Sequence, residues 1–369
     1  MQLVSLRGRG AAHDPPNRFE PLHVEPDPDA IDPDDPDGAE RGPLTRYYRD
    51  ATRNVIARND SPDIPFEASV NPYRGCEHGC IYCYARPTHE YLGFSAGLDF
   101  ESRILVKQDA PELLRRALGA RSWTPRVIAL SGVTDPYQPI ERKLRITRGC
   151  LEVLAEFRSP VGVVTKNHLV TRDIDVLSEL VKYDAAVVNV SITTLDVELQ
   201  RVMEPRTSIP ALRLAAVRAL AEAGIPVRVM VAPVIPGLTD HEVPRILTAA
   251  RAAGARGASM VPLRLPHGVA ALFEDWLARR FPDRRDKVLN RIRAMRGGRL
   301  NDPAFGSRMR GEGVFADGVR ALFDTTCRSL GLNEEPLVLS ALSFRRADPG
   351  GQLSLALLDQ DPAETGVRT

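Results

Sequence analysis

The sequence predicts an α/β protein built on a partial (β/α)6 TIM-like barrel, with a disordered or wrapping N-terminal arm and a small α+β C-terminal extension. Two observations carry this. From about residue 66, short β-branched runs alternate with amphipathic stretches, as right-handed βαβ units around a parallel sheet require. Before that point the chain is different: "HVEPDPDAIDPDDPDGAERG" is rich in Pro and Asp and offers almost nothing to bury. The 369 residues leave room for one large domain or two ordinary ones, and a 43% apolar share suits a sizeable core.

The expected elements follow in order. Residues 1–65 form the arm. A strand near "ASVNPY" opens the core, 66–282. Further buried strands are expected at "RVIALSG" (126–132), "VGVVTK" (161–166), "AAVVNVSIT" (185–193), "PVRVMVAPVI" (226–235) and "GASMVPL" (257–263). Helices are expected at 110–119, 146–157, 172–182, 210–223, 240–253 and 268–280, with Thr171 and Asp240 as start signals. In such a barrel the chemistry belongs at the C-terminal ends of the strands. The extension, 283–369, carries a basic helix, a Gly-rich link "RGGRL", a helix near 314–331 and two late strands, "PLVLSALSF" and "GQLSLALL".

Net charge is +1, which neither demands nor excludes nucleic acid. No apolar run reaches 18 residues, so a membrane span is not expected, and the first residues lack the apolar stretch of a signal peptide. The five cysteines are odd in number and three are bunched, which suits metal ligation in a reducing cytoplasm rather than a disulfide framework.

Those three lie in "NPYRGCEHGCIYCYARPTHEYLGF" as C-x3-C-x2-C: Cys76, Cys80 and Cys83. Cys150 and Cys327 sit singly in apolar helical patterns and read as core residues. A structural zinc normally closes with four ligands, so a Cys3His site would need His78 or His89. A 4Fe–4S cubane normally takes one thiolate per iron. Three cysteines leave one iron open, which is a catalytic arrangement. Gly75 and Gly79 would let a short loop wrap such a cluster.

C-x3-C-x2-C with the aromatic Tyr82 before the last cysteine resembles the signature of the radical S-adenosylmethionine (SAM) superfamily. "SGVTDPYQPIE", "VVTKNHLV", "VSITTLDVELQRVMEPRTS" and "VMVAPVIPGLTD" narrow the resemblance to the spore photoproduct lyase-like subgroup over about 66–240. The resemblance implies a 4Fe–4S cluster on Cys76, Cys80 and Cys83. The open iron would hold SAM, and reductive cleavage would give a 5′-deoxyadenosyl radical. It implies SAM contacts from Tyr82, Thr134, Asp135, Lys166, Ser191 and the backbone of Val231, Ala232 and Pro233. Tyr84 matches a radical-relay tyrosine and is the catalytic candidate. An electron donor such as flavodoxin or ferredoxin is implied as partner. Plainer readings stand beside these: a solvent-reaching strand-end lysine at Lys166, a hydroxyl bonded to backbone at Ser191, a turn at Asp135-Pro136, a helix–loop salt bridge at Glu204-Pro205-Arg206.

One departure matters. Where the lyase has its hydrogen-donating cysteine, this chain has Gly132, so repair of spore photoproduct is not expected. Nucleic acid remains a substrate class through the segment 279–310, with eleven Lys/Arg against three acids. The alternatives are a non-catalytic iron–sulfur or nucleic-acid-binding protein of the same fold, and a zinc-stabilised binding module.

Overall fold

Six strands run parallel in one sheet, and their order places everything else. The computed structural model describes residues 6–20 and 43–346. Strands β1 (Arg46–Arg49), β2 (Ile56–Arg58), β3 (Ala68–Val70) and β4 (Tyr73–Arg74) precede the cysteine loop, and β5 (Arg103–Val106) and α1 (Ala110–Gly119) follow it. Then come β6 (Ile128–Leu130), α2 (Ile146–Glu156), β7 (Val161–Thr165), α3 (Ile174–Val181), β8 (Ala186–Ser191), α4 (Val197–Met203) and α5 (Pro210–Glu222). The core ends with β9 (Val227–Val234), α6 (Val243–Ala252), β10 (Gly257–Pro262) and α7 (Val269–Arg280), followed by α8 (Pro282–Ala294) and α9 (Val314–Leu330).

The main sheet has the order β10-β9-β8-β7-β6-β3-β2. Every neighbouring pair from β3 to β10 is parallel, and β2 closes the far edge antiparallel to β3. A second, three-stranded sheet has the order β1-β5-β4. Strands covered on both faces read as continuous Val-rich runs. Accordingly Val161, Val163, Val188, Val190, Val227 and Val229 are buried against Leu151, Leu154, Leu177, Leu180, Leu220 and Ile246 of the helices. A separate apolar cluster joins Ile81 and Tyr82 of the cysteine loop to Met203, Leu238, Phe273, Trp276, Leu289 and Ile292, fixing α7 and α8 beside that loop.

Several expectations need correction. Thr171 does not start a helix. It lies inside the short 3-10 turn His168–Asp173, whose cap is Asn167, accepting from the Leu169 N–H at 2.9 Å. Asp240 likewise opens a 3-10 turn, Asp240–Glu242, ahead of α6. The side-chain cap is instead Asp196, which accepts from the Glu198 and Leu199 N–H groups of α4. "PLVLSALSF" forms no strand, because it crosses loops rather than a sheet edge. The Ser340 N–H donates to the Asp184 carbonyl (2.9 Å), the Arg345 N–H to that of Phe157 (3.0 Å), and Phe344 lies against the Phe157 ring. "GQLSLALL" and "HVEPDPDAIDPDDPDGAERG" lie outside the described residues.

The arm does wrap where it is described. Glu101 has no exposed surface; its carboxylate accepts the N–H groups of Gly10 and Ala11, each at 2.9 Å, and its carbonyl accepts from Arg9 at 2.7 Å. A Cβ on Gly10 would fall 1.9 Å from the Gly79 carbonyl oxygen, so only glycine allows this approach. Further on, Asn17 donates to the Glu90 and Phe94 carbonyls and Arg18 pairs with Glu90 at 2.7 Å.

Candidate functional site

Because β3 and β6 to β10 are parallel, the segments leaving their C-terminal ends converge on one face, and the cysteine loop lies there. Gly75 and Gly79 take φ of +77° and +64°, angles that L side chains resist. The loop is pinned along its backbone. The Cys76 N–H donates to the Phe100 carbonyl (2.9 Å), that of Ile81 to Met203 (3.1 Å) and that of Arg206 to His78 (3.3 Å). Arg86, fully buried, was missed in the sequence. Its guanidinium donates to the Cys80 (3.0 Å), Gly79 (3.2 Å), Ala96 and Gly97 carbonyls and pairs with Glu101. Its signal was an arginine directly before Pro87, in a loop too short to reach solvent with it.

Cys76 and Cys80 are buried and Cys83 nearly so. Burial pushes the Cys80 thiol well up, and the Cys83 thiol up to about 11. As free thiolates they would be costly, and a bound cationic centre offsets that cost. The histidines that a Cys3His set would need are engaged elsewhere. His78 places Nδ1 3.3 Å from Asp135 and Nε2 3.3 Å from the Asn167 amide, and His89 Nε2 faces the Arg103 carbonyl at 2.9 Å. Among the described residues no three His, Cys, Asp or Glu form a compact set that could hold one ion. Three cysteine sulfurs in one loop are a donor set that an iron–sulfur cluster takes. Cys150 and Cys327 lie in the helical core.

The loop after β6 serves the cysteine loop. The Thr134 hydroxyl donates to the Gly75 carbonyl at 2.7 Å, and buried Gln138 accepts from the Glu77 N–H at 3.0 Å. The Asp135 carboxylate accepts from the Thr165 hydroxyl (2.7 Å), the Lys166 N–H (2.8 Å) and the Tyr137 N–H (2.9 Å). Burial alone would raise that carboxyl; His78 and these donors bring it below the ordinary carboxylate range. Both side chains are thus committed to holding backbone and neighbours.

The densest charge lies deeper. Glu204 has no exposed surface and accepts from the Tyr82 hydroxyl and from that of Thr193 (2.8 Å). It pairs with Lys166 Nζ at 3.3 Å and with the buried Arg213 guanidinium. Lys166 Nζ also reaches the Thr193 hydroxyl and the Ala232 carbonyl, each at 3.2 Å, and lies 5.7 Å from the Tyr82 ring centre. Burial holds Lys166 down to about 8. Arg213 further donates to the Ser191 carbonyl at 3.0 Å and the Ser208 carbonyl at 2.8 Å. One network therefore unites Tyr82, Lys166, the Ser191 carbonyl and the Ala232 carbonyl of β9, with Val231 and Pro233 its neighbours in sequence. It carries two cations against one carboxylate. Its centre, Glu204, is the half of Glu204-Pro205-Arg206 that is buried; Arg206 instead pairs with Glu77 at 3.2 Å.

Tyr84 is 52% exposed and donates its hydroxyl to the Gly132 carbonyl at 2.5 Å. The two positions singled out for hydrogen transfer therefore touch. The basic segment is not the open face its sequence suggests. Arg279 pairs with Asp275 (2.7 Å), Arg291 with Asp240 (3.3 Å), and Arg308 with Asp63 through two contacts of 2.5 and 2.7 Å. Arg296 is 4% exposed and donates to four carbonyls, those of Pro262, Leu263, Ser307 and Arg308.

Residues 70–250, just under half of the chain, match the family model described as the Radical SAM superfamily. An uncharacterized protein of Mycobacterium tuberculosis is 40% identical over 222 residues, 60% of this chain and 65% of that protein. One of Methanocaldococcus jannaschii is 30% identical over 173 residues, 47% of this chain and 62% of that protein. The chain thus spans less than two thirds of the length of these relatives. Spore photoproduct lyase complexed with dinucleoside spore photoproduct shares the fold, with TM-score 0.52 and 18% identity over 77% of this chain and 78% of that one. Radical SAM proteins use a 4Fe–4S cluster and SAM, the two cofactors the cysteine motif implied.

Proposed function

We propose that the chain is a radical SAM enzyme. Cys76, Cys80 and Cys83 hold a 4Fe–4S cluster, which when reduced cleaves SAM to a 5′-deoxyadenosyl radical. The observation that carries this is the three-thiol loop, turned by Gly75 and Gly79, at the C-terminal face of six parallel strands and inside the matched segment 70–250. The sheet is read as a partial (β/α)6 barrel, with 66–282 as catalytic core, 1–65 as arm and 283–369 as extension.

In this reading Lys166 and the Ser191 end of β8 receive the SAM carboxylate, the excess positive charge around Glu204 favouring an anion there. Tyr82 and the backbone of Val231–Pro233 line the adenine side. Thr134 and Asp135 act by fixing the cysteine loop and the start of the Lys166 segment. Tyr84 is the group placed to relay a hydrogen. The reductant is a flavodoxin- or ferredoxin-type donor. The substrate class is open. Nucleic acid stays in view only through the cations of 279–310 that are not structural, which excludes Arg296. No helix among the described residues is long and apolar enough to cross a membrane.

The test is anaerobic reconstitution, dithionite reduction and analysis for 5′-deoxyadenosine, with and without DNA or RNA. About four irons per chain are expected. Lys166→Ala should keep its iron and lose SAM affinity by roughly 10- to 150-fold, the loss of one charge-assisted hydrogen bond. Stoichiometric zinc in place of iron, or iron without 5′-deoxyadenosine, would defeat the proposal.

A further inference from the structure

β10 ends at Pro262, and two residues on, Arg264 stands beside the exposed ring of Tyr84, its guanidinium carbon 5.8 Å from the ring centre. A guanidinium has five N–H donors and belongs with carboxylates, phosphates or carbonyls. Among the described residues, the one acceptor Arg264 meets is the Met309 sulfur, 3.1 Å from Nη1, and a thioether is a weak acceptor. Its Nε is buried with no partner. The neighbouring charges do not relieve it. Asp63, the nearby carboxylate, is already bound by Arg308 and by the Gly306 N–H. Arg296 lies on the other side, and its donors hold the Pro262 and Leu263 carbonyls that lead into Arg264. Burial depresses the pKa of Arg264, and the adjacent Arg308 depresses it further.

Three arginines are therefore crowded together with two carboxylates, Asp63 and Asp302. Asp63 is bound as described, Asp302 accepts from the Ala304 N–H and the Ser307 hydroxyl, and neither bonds Arg264, whose backbone approach is held by Arg296. Such an arrangement is costly unless an anion completes it. Its position is telling. Arg264 touches Tyr84, which is next in sequence to Cys83 and bonded to Gly132, so an anion held here lies at the mouth of the cofactor site.

We propose that Arg264 is the anchor for an anionic group, a phosphate or a carboxylate, on the substrate, held against the face of Tyr84. The word substrate rests on the radical SAM reading; the anion site itself does not. The reconstituted protein is titrated calorimetrically with inorganic phosphate and separately with acetate, at constant ionic strength. One saturable site is expected. Its affinity falls about tenfold or more in Arg264→Gln, less in Arg264→Lys, which keeps the charge but loses the fork, and not at all in Arg284→Gln. Tighter binding of phosphate identifies a phosphate-bearing substrate, tighter acetate a carboxylate; both outcomes support the anchor. Melting temperatures report whether each variant is folded, and Arg264→Lys carries the test if Arg264→Gln is not. No saturable binding, or equal binding in Arg264→Gln and Arg264→Lys and the parent, overturns the proposal. Loss of SAM affinity in Arg264→Gln also overturns it, by assigning Arg264 to SAM. Iron content and SAM binding of the parent, measured on the same preparation, decide the radical SAM reading separately.

Discussion

Replacing Glu204 by Ala should destabilise the protein sharply. The carboxylate has no exposed surface, and its partners Arg213 and Lys166 are 1% and 15% exposed. Without it, Arg213 keeps only neutral partners, the Ser191 and Ser208 carbonyls and the Thr207 hydroxyl. Breaking a buried ion pair from one side costs about 3–5 kcal/mol, because the remaining charge stays buried. Unfolding entropy is about 2.1 cal/mol/K per residue, or roughly 0.8 kcal/mol/K for this length, so the melting temperature should fall by about 4–6 °C. Glu204→Gln, which keeps an acceptor for Tyr82 and Thr193, should lose less. Adding Arg213→Met to Glu204→Ala should recover much of the loss, since both charges then leave together. The assay is calorimetry of the metal-free, reduced protein. A Glu204→Ala protein melting within about 1 °C of the parent, or a double variant worse than the two single losses combined, would refute the reasoning.

Iron should be lost from Cys76→Ala, Cys80→Ala and Cys83→Ala but retained in Cys150→Ala and Cys327→Ala; full iron in Cys80→Ala by chemical assay contradicts the cluster assignment. His89 is buried and its pKa is pushed down to about 4, first by burial, against about 6.5 when unfolded. Its contribution is therefore complete above about pH 6.5 and is lost as pH falls toward 4, on the order of 3 kcal/mol in all. Denaturant titrations across that window should show the slope, and an unchanged slope in His89→Gln would assign it elsewhere. Arg296→Ala should destabilise by about 2–4 kcal/mol, since several buried carbonyls lose their donor, whereas Arg293→Ala should stay within about 0.5 kcal/mol. Equal melting temperatures for the two would mean that Arg296 is not structural.

The parallel strands were legible because they spell out Val-rich runs, as in "VGVVT" and "AVVNVS", although burial alternates along β7 and β9 between full and partial. The cysteine loop was legible because its donors are adjacent in sequence. The Glu204 network was not, since Tyr82, Lys166, Thr193, Glu204 and Arg213 are scattered over five segments and nothing periodic links them. Charge counting failed for 279–310 for a related reason. Arg296 and Arg308 carry the same letter as a solvated arginine, and only the fold shows that one holds carbonyls and the other Asp63. The late strand at 336–344 failed because an apolar run needs a free sheet edge beside it, which sequence does not reveal.

The seating of Gly10 on the Gly79 carbonyl also has a bearing on timing. Residues 8–18 leave the ribosome long before the partners they clasp, which lie about 70 to 200 positions further along: Glu90, Phe94, Glu101 and, for the Gly8 carbonyl, Arg206. Contacts of such separation form late, after the loop-closure cost has been met by the sheet. The segment made early is thus the one placed last. Until it arrives, the Glu101 carboxylate lacks the two backbone N–H groups of Gly10 and Ala11, and the Gly79 carbonyl lacks the glycine that packs on it.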